Sequence, residues 1–356
     1  MIKYLGSKRR LVPVLGDLLE RSGADRAIDL FTGTTRVAQE WKRRGARVTA
    51  VDAARYAAVL ADCFIALDAT RVDLDGAAEF LAHLQALNGV DGYVTETFSR
   101  QARYFQEHNA RRIDAIRDAI EELGPHHPWR SVMLSALLLA ADRVDSTTGV
   151  QMAYLKSWSP RSFAPLELRM PELIAGPGRA VHGDVMDVVG DLGEAGVAYL
   201  DPPYNQHRYN GNYHVWETLM AWDAPAHYGV ACKRVDLRDP ASASVFNRRR
   251  DAPDALARLV REVPAEVVII SGSDEGWVSL EDLTDMAAGR GEVAVLAFDS
   301  KRYVGAQIGI HNPKGEKVGR VGRTRNVEYV VVAGPPAAVR RMSAGYQAAD
   351  PGRVSR

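Results

Sequence analysis

Seven short apolar runs punctuate the chain, and most of them lack any alternation with polar positions. They are RAIDLF (26–31), ARVTAVD (46–52), GRAVHG (178–183), VAYL (197–200), AEVVIIS (265–271), EVAVLAF (292–298) and VEYVVVA (327–333). Unbroken β-branched runs of this length are the pattern of strands covered on both faces. Helical spacing fills several of the intervals. Between Lys8 and Glu20 the apolar positions Leu11, Val14, Leu15, Leu18 and Leu19 share one face, with Ser7 placed to cap the start. Thr35 to Arg44 and Ala54 to Leu67 read as helices too. Strands alternating with helices predict an α/β fold built on a doubly wound sheet.

One interval breaks this rhythm. Residues 69–177 hold no convincing strand but three helical patterns, at 74–88, 93–122 and 128–143. The expected layout is therefore a sheet domain supplied by 1–68 and 178–335, an inserted helical subdomain at 69–177, and a flexible tail at 336–356. Within the insertion, RQARYFQEHNARRIDAIR (100–117) carries five arginines against two acids. A solvated helix face is the favoured reading of that run, and a contact surface the other.

Composition narrows the class. Lys+Arg and Asp+Glu both number 45, so a nucleic-acid partner must be met by local patches. Cys63 and Cys232 are the only cysteines, without paired spacing, and the nine histidines make no ligand pattern. Neither a disulfide framework nor a metal site is expected. The most apolar stretch, VMLSALLLAA (132–141), is too short to span a bilayer. The amino terminus lacks an apolar signal region, so a cytoplasmic protein is expected.

LDPPYNQHRYN (200–210) carries the sharpest chemical signal. Adjacent prolines cannot belong to a central strand, so the strand ends at Leu200 and leaves Asp201 at its carboxyl edge. Ligands of open α/β sheets bind at that edge. A second turn, DLFTGTTRVAQ (29–39), runs from a strand through Gly33 into a helix, which turns backbone N–H groups toward a ligand. Asp52 ends the next strand, where an acid is placed either to bind ribose hydroxyls or to cap the following helix. In KYLGSKRR (3–10), Lys3 and Lys8 flank a Gly6–Ser7 turn suited to holding a carboxylate; a water-facing helix start is the alternative.

Taken together, these motifs and their order resemble the adenine-N6 methyltransferases of DNA, the DPPY-type, D12 or Dam-like class. HNARRIDAIR (108–117), ADRVDSTTGVQMAYLKSW (141–158) and NYHVWET (212–218) extend the resemblance over roughly residues 1–335. Thr35 departs from it, standing where the FxGxG turn has its second glycine. The resemblance implies a seven-stranded S-adenosylmethionine-dependent methyltransferase sheet and site-specific methylation of adenine N6 in double-stranded DNA. It implies that Tyr4 and Lys8 hold the methionine end of the cofactor and that Phe31 and Gly33 form the turn around it. Asp52 would bind the ribose, and Asp184 is a candidate partner for the cofactor adenine. Asp201, also counted at the cofactor site, and the Pro202 carbonyl would accept the two N–H bonds of the target amine. Pro202 and Pro203 would fix that geometry, and Tyr204 would stack on the flipped-out base.

DNA contacts are expected from KRYVGAQIGIHNPKGEKVGRVGRTR (301–325), which reads as a hairpin arm with seven Lys/Arg against one acid. Lys314, Lys317, Arg320 and Arg323 are its candidate phosphate contacts. RRR (248–250) is near the site by sequence. Tyr209, Tyr213 and Trp216 either line the base channel or pack the loop. A monomer is expected, with a cognate restriction endonuclease as a candidate partner. Two other readings stand beside this one. The first is methylation of another planar amine: cytosine N4, RNA adenine or protein glutamine. Glutamine enzymes typically show NPPY and cytosine enzymes often serine, so Asp201 argues against both. The second is a non-catalytic DNA-binding relative, against which the intact DPPY, Lys8 and Asp52 argue.

Overall fold

The computed structural model describes residues 2–4, 8–203, 209–239, 243–274, 276–301, 310–311, 317–319 and 325–346. At 209–210, 299–301, 310–311, 317–319 and 325–326 it describes the backbone alone. In chain order the strands are β1 (Arg26–Asp29), β2 (Arg47–Asp52), β3 (Gly178–His182), β4 (Ala195–Leu200), β5 (His227–Tyr228) and β6 (Lys233–Arg234). They continue with β7 (Ala265–Ser273), β8 (Glu292–Lys301), β9 (Ile310–His311), β10 (Lys317–Gly319) and β11 (Arg325–Gly334). Seven form one sheet in the order β3-β2-β1-β4-β7-β11-β8, and these are the seven apolar runs of the sequence. β11 runs antiparallel to both β7 and β8, while β1, β4 and β7 pair in parallel. β7 is buried at every position but one, which is why its sequence shows no alternation.

The chain divides into two compact units: Met1–Ser7, Thr32–Gly183 and Arg208–Ser244 make the first, and Lys8–Phe31, Asp184–His207 and Val245–Arg356 the second. In the first, β2 pairs in parallel with β3, and residues 69–177 hold helices and no strand. The helix expected over 93–122 is two elements, a π-helical turn at Thr95–Gln101 and a helix at Glu107–Glu121. Asp114 makes the break. Its carboxylate accepts the N–H groups of Val94 at 2.9 Å and Thr95 at 2.8 Å, tying the first element back onto the second. Gly92 permits the approach, because a Cβ there would lie 2.6 Å from the Asp114 side chain.

In the second unit the amino-terminal helix is Val12–Ser22, four residues later than its apolar spacing suggests. The Lys8 carbonyl first takes the N–H groups of Leu11 and Val12 in a tight turn. Pro13 then opens the helix, where its missing N–H costs nothing. Ser7, the expected cap, lies outside the described residues. The supposed tail is also structured at its start. Pro336–Ser343 is a helix whose Ala338, Val339 and Met342 are buried, and Arg341 donates to the carbonyls of Arg21 and Ser22. Among the described residues, no helix is long and apolar enough to cross a membrane.

Candidate active site

The second unit holds the catalytic candidate. β4 ends at Leu200, as two prolines require, and Asp201 follows at its carboxyl edge. Lys8 reaches that carboxylate with Nζ 3.0 Å from Oδ1, the lysine 8% and the aspartate 17% exposed. Within KYLGSKRR, Lys8 is therefore ion-paired with a carboxylate of the chain itself. Burial pushes the Asp201 carboxyl above its ordinary range, and the Lys8 ammonium opposes that rise. One strand residue back, the Tyr199 hydroxyl lies 2.6 Å from Ser271 Oγ on β7, bracing the end of β4. Phe31, at the end of its turn, is braced edge-on by Phe246 with centroids 5.1 Å apart. β1 itself stops at Asp29 rather than Phe31, although the Leu30 N–H still reaches the Tyr199 carbonyl.

The first unit holds the glycine turn. Gly33 has φ +49°, and a Cβ on it would meet the Tyr4 ring at 3.1 Å. The Tyr4 ring in turn stacks on Tyr213, centroids 4.9 Å apart and planes 14° apart. Tyr213 is fully buried, so of its two expected roles the structure shows packing; Trp216 is fully buried as well. Asp52 spans the turn and the next helix. Its Oδ2 accepts the Gly33 N–H at 2.8 Å and its Oδ1 the Ala54 N–H at 2.9 Å. Burial raises the Asp52 carboxyl and those two N–H groups oppose the rise. Capping and ligand reading are therefore not exclusive for Asp52, which remains half-buried rather than sealed. Thr35, the departure from the glycine pattern, has φ +61° and ψ 14°. It adopts the left-handed conformation glycine would supply, at a strain of about 1–3 kcal/mol. Its hydroxyl donates to the Thr34 carbonyl and accepts from Gln39 Nε2 at 2.8 Å, which holds the turn in place.

Lys3 holds carboxylates too. Its backbone N–H lies 3.2 Å from both Asp142 oxygens, and its ammonium sits 3.0 Å from Asp142 and 3.3 Å from Asp145. Asp145 is 1% exposed and also pairs with Arg161. The two acids of ADRVDSTTG thereby anchor the extended segment that carries Tyr4. No sequence signal names this partnership, since Lys3 and Asp142 lie 139 positions apart. Asp184 caps the short helix Val185–Val188 by accepting the Met186 N–H at 2.9 Å. Tyr204 lies outside the described residues.

A sequence model of the "D12 class N6 adenine-specific DNA methyltransferase" family matches residues 4–271, which include the glycine turn, Asp52 and Asp201. The chain belongs to that family. Modification methylase StsI of Streptococcus sanguinis is 28% identical over 304 residues, covering 80% of this chain and 46% of that protein. Type II methyltransferase M.NlaIII of Neisseria lactamica is 26% identical over 324 residues, covering 85% of this chain and 92% of its own length. M.CviAII of Paramecium bursaria Chlorella virus 1 is 27% identical, with 85% and 92% covered. The chain thus spans about half of StsI and nearly all of the other two.

In the arginine run at 100–117, Arg100, Arg103 and Arg111 are exposed, in keeping with the solvated face that the run was read as, and Arg117 is the exception. Arg117 is fully buried, donating to the Leu219 carbonyl at 2.7 Å and pairing with Glu121. Arg100 bonds Asp91 and Glu107, Arg111 pairs with Asp91, Arg112 donates to the Gln85 carbonyl, and Arg103 to that of Lys156. Every arginine of the run has a partner within the first unit. The basic arm lies beyond the residues that the D12 family model matches. Its backbone forms a ribbon in which Lys317 pairs with His311 and Gly319 with Ile310. Lys314, Arg320 and Arg323 fall outside the described residues, as do the side chains of Lys317 and Tyr209.

Proposed function

We propose that this chain methylates the N6 amine of an adenine flipped out of double-stranded DNA, at a specific sequence, using S-adenosylmethionine. The observation that carries the reading is the half-buried Asp201 carboxylate, set at the end of β4 by two prolines and paired with the buried Lys8. The exocyclic amine of adenine is a weak nucleophile because its lone pair is delocalised into the ring. Asp201 accepts one of its N–H bonds and the Pro202 carbonyl the other, which draws the nitrogen toward a tetrahedral shape. Pro202 and Pro203 hold those acceptors still before the base arrives, a preorganisation of position and charge. Tyr204 stacks on the extruded base. The cofactor supplies a methyl group on a sulfonium, open to in-line attack.

The residues present suit that cofactor. The Gly33 turn offers backbone without a Cβ, and Asp52 keeps a partly open carboxylate for ribose hydroxyls. Tyr4 and Lys8 serve its methionine end, Phe31 completes the turn, and Asp184 serves its adenine. Tritium from labelled S-adenosylmethionine should enter double-stranded DNA and not RNA or protein. Label in RNA or in glutamine side chains, with none in DNA, would overturn the reading.

The arm at 301–325 is proposed to track phosphates. Neutralising Lys314, Lys317, Arg320 and Arg323 should weaken DNA binding and flatten its salt dependence by about 0.9 of log–log slope for each phosphate no longer neutralised. The modified sequence should stay the same, because phosphate contacts position without reading bases. Titrations at several salt concentrations check this: a wild-type slope would leave the arm idle, and a new recognition sequence would make it a base reader.

A further inference from the structure

Glu217 lies on the helix His214–Ala221, within NYHVWET, yet its carboxylate serves the start of a different helix. Its Oε2 accepts the Arg55 N–H at 3.0 Å and the Tyr56 N–H at 3.4 Å, and Arg55 Nε stands 3.9 Å from Oε1. The helix Arg55–Ala61 has Ala54 at its N-cap position, which offers no side-chain oxygen. First-turn N–H groups need acceptors from elsewhere. Two carboxylates supply them: Asp52 takes the N–H of Ala54, and Glu217 takes those of Arg55 and Tyr56. Tyr56 carries the arrangement on, its hydroxyl 3.5 Å from that of Tyr4 and its ring against Tyr213.

We infer that Glu217 is a positioning residue for the cofactor site: by fixing the first turn of Arg55–Ala61, it sets how Asp52 presents its carboxylate to the ribose. This rests on the reading of Asp52 as the ribose acceptor. A glutamate on the helix His214–Ala221 thereby governs cofactor affinity.

The groups facing Glu217 make the arrangement sensitive to pH. Burial pushes its carboxyl up to about 7, against the Tyr56 N–H and the charges of Arg55 and of Arg234 on β6. Arg234 is itself held by Asp223 and Asp236, and Asp52 stands beyond Ala54. The ionised carboxylate accepts both N–H groups well, whereas protonation withdraws part of that capacity. Positioning therefore strengthens as pH rises through about 7. Fold stability runs the other way. A carboxyl raised in the folded state stabilises fully below its unfolded value, and that contribution is lost as pH rises through the folded one.

The test is calorimetry of S-adenosylmethionine binding to the full chain between pH 6 and pH 8.5, with thermal midpoints alongside. At pH 8 Glu217→Gln should bind about five- to tenfold more weakly than wild type. Its profile should lack the step near neutrality, and kcat at saturating cofactor should stay near wild type. Arg55→Gln, at an exposed site, should keep the fold and move the wild-type step to higher pH. Asp52→Ala separates the two readings. If it leaves affinity unchanged, the ribose reading fails and the inference falls with it. If Asp52→Ala weakens binding while Glu217→Gln changes only the midpoint, or while Arg55→Gln leaves the step in place, the inference alone is overturned.

Discussion

Replacing Asp201 by Ala should cost methyl transfer a factor of about 10²–10³ or more while leaving most DNA affinity intact. The expectation follows from what the carboxylate is placed to do. In the proposed role it accepts from the reacting amine and not from the phosphates, so its loss should fall on kcat rather than on complex formation. Substitution also takes from the Lys8 ammonium, which is 8% exposed, its carboxylate partner, so some loss of stability must be separated from loss of chemistry. Asp201→Asn serves as the isosteric control. It keeps the shape and one acceptor but not the charge, and it should be almost as inactive as Asp201→Ala. A variant that folds, binds DNA and retains more than roughly a tenth of wild-type turnover would remove Asp201 from the reaction.

Lys8→Met should move the acid limb of the pH–rate profile to higher pH and lower the thermal midpoint. Burial already raises the Asp201 carboxyl and the Lys8 charge is the main force opposing it, so removing that charge raises it further. The proposed amine-orienting role needs the ionised form, so activity should fall as pH drops through the raised value, sooner in the variant than in wild type. Stability behaves differently. Breaking a buried pair leaves an uncompensated charge at a cost of about 3–5 kcal/mol, and here the lower end applies because Asp201 is 17% exposed. Protonation of Asp201 relieves that cost, so the gap in thermal midpoint between variant and wild type should narrow toward acid pH. An unshifted acid limb would mean that Lys8 does not tune Asp201. A gap that stays constant with pH would mean that the ion pair contributes nothing specific to the fold.

Much of the sheet was legible because its strands are covered on both faces, and that burial is written into unbroken runs such as AEVVIIS. The end of β4 was legible from a single chemical fact, the missing N–H of proline. Long-range partnerships were not. Asp114 folds Val94 and Thr95 back on it, and nothing local in residues 93–122 announces the break. The five arginines of 100–117 read chiefly as a solvated helix face, but Arg117 is fully buried and the partners of the five range from Asp91 to the Leu219 carbonyl. The ion pair between Lys8 and Asp201 was not readable, because the two lie far apart in the sequence. Glu217 was invisible as a site residue because its ligands are backbone N–H groups, one of them 162 positions earlier, and backbone groups carry no letter in the sequence. Thr35 shows the reverse case. The sequence exposed the departure from glycine, and only the backbone shows that threonine adopts glycine's conformation there, tethered through Gln39.

The most direct measurement is of the product. Duplex DNA incubated with the full chain and S-adenosylmethionine, then digested to nucleosides, should yield N6-methyladenosine of the deoxy series and no N4-methylcytosine. Mapping should place it at one short sequence, and the Asp201→Ala protein should yield none. N4-methylcytosine as the product, or no methylated base from a folded, DNA-binding protein, would contradict the assignment of Asp201 to an adenine-methylating pocket.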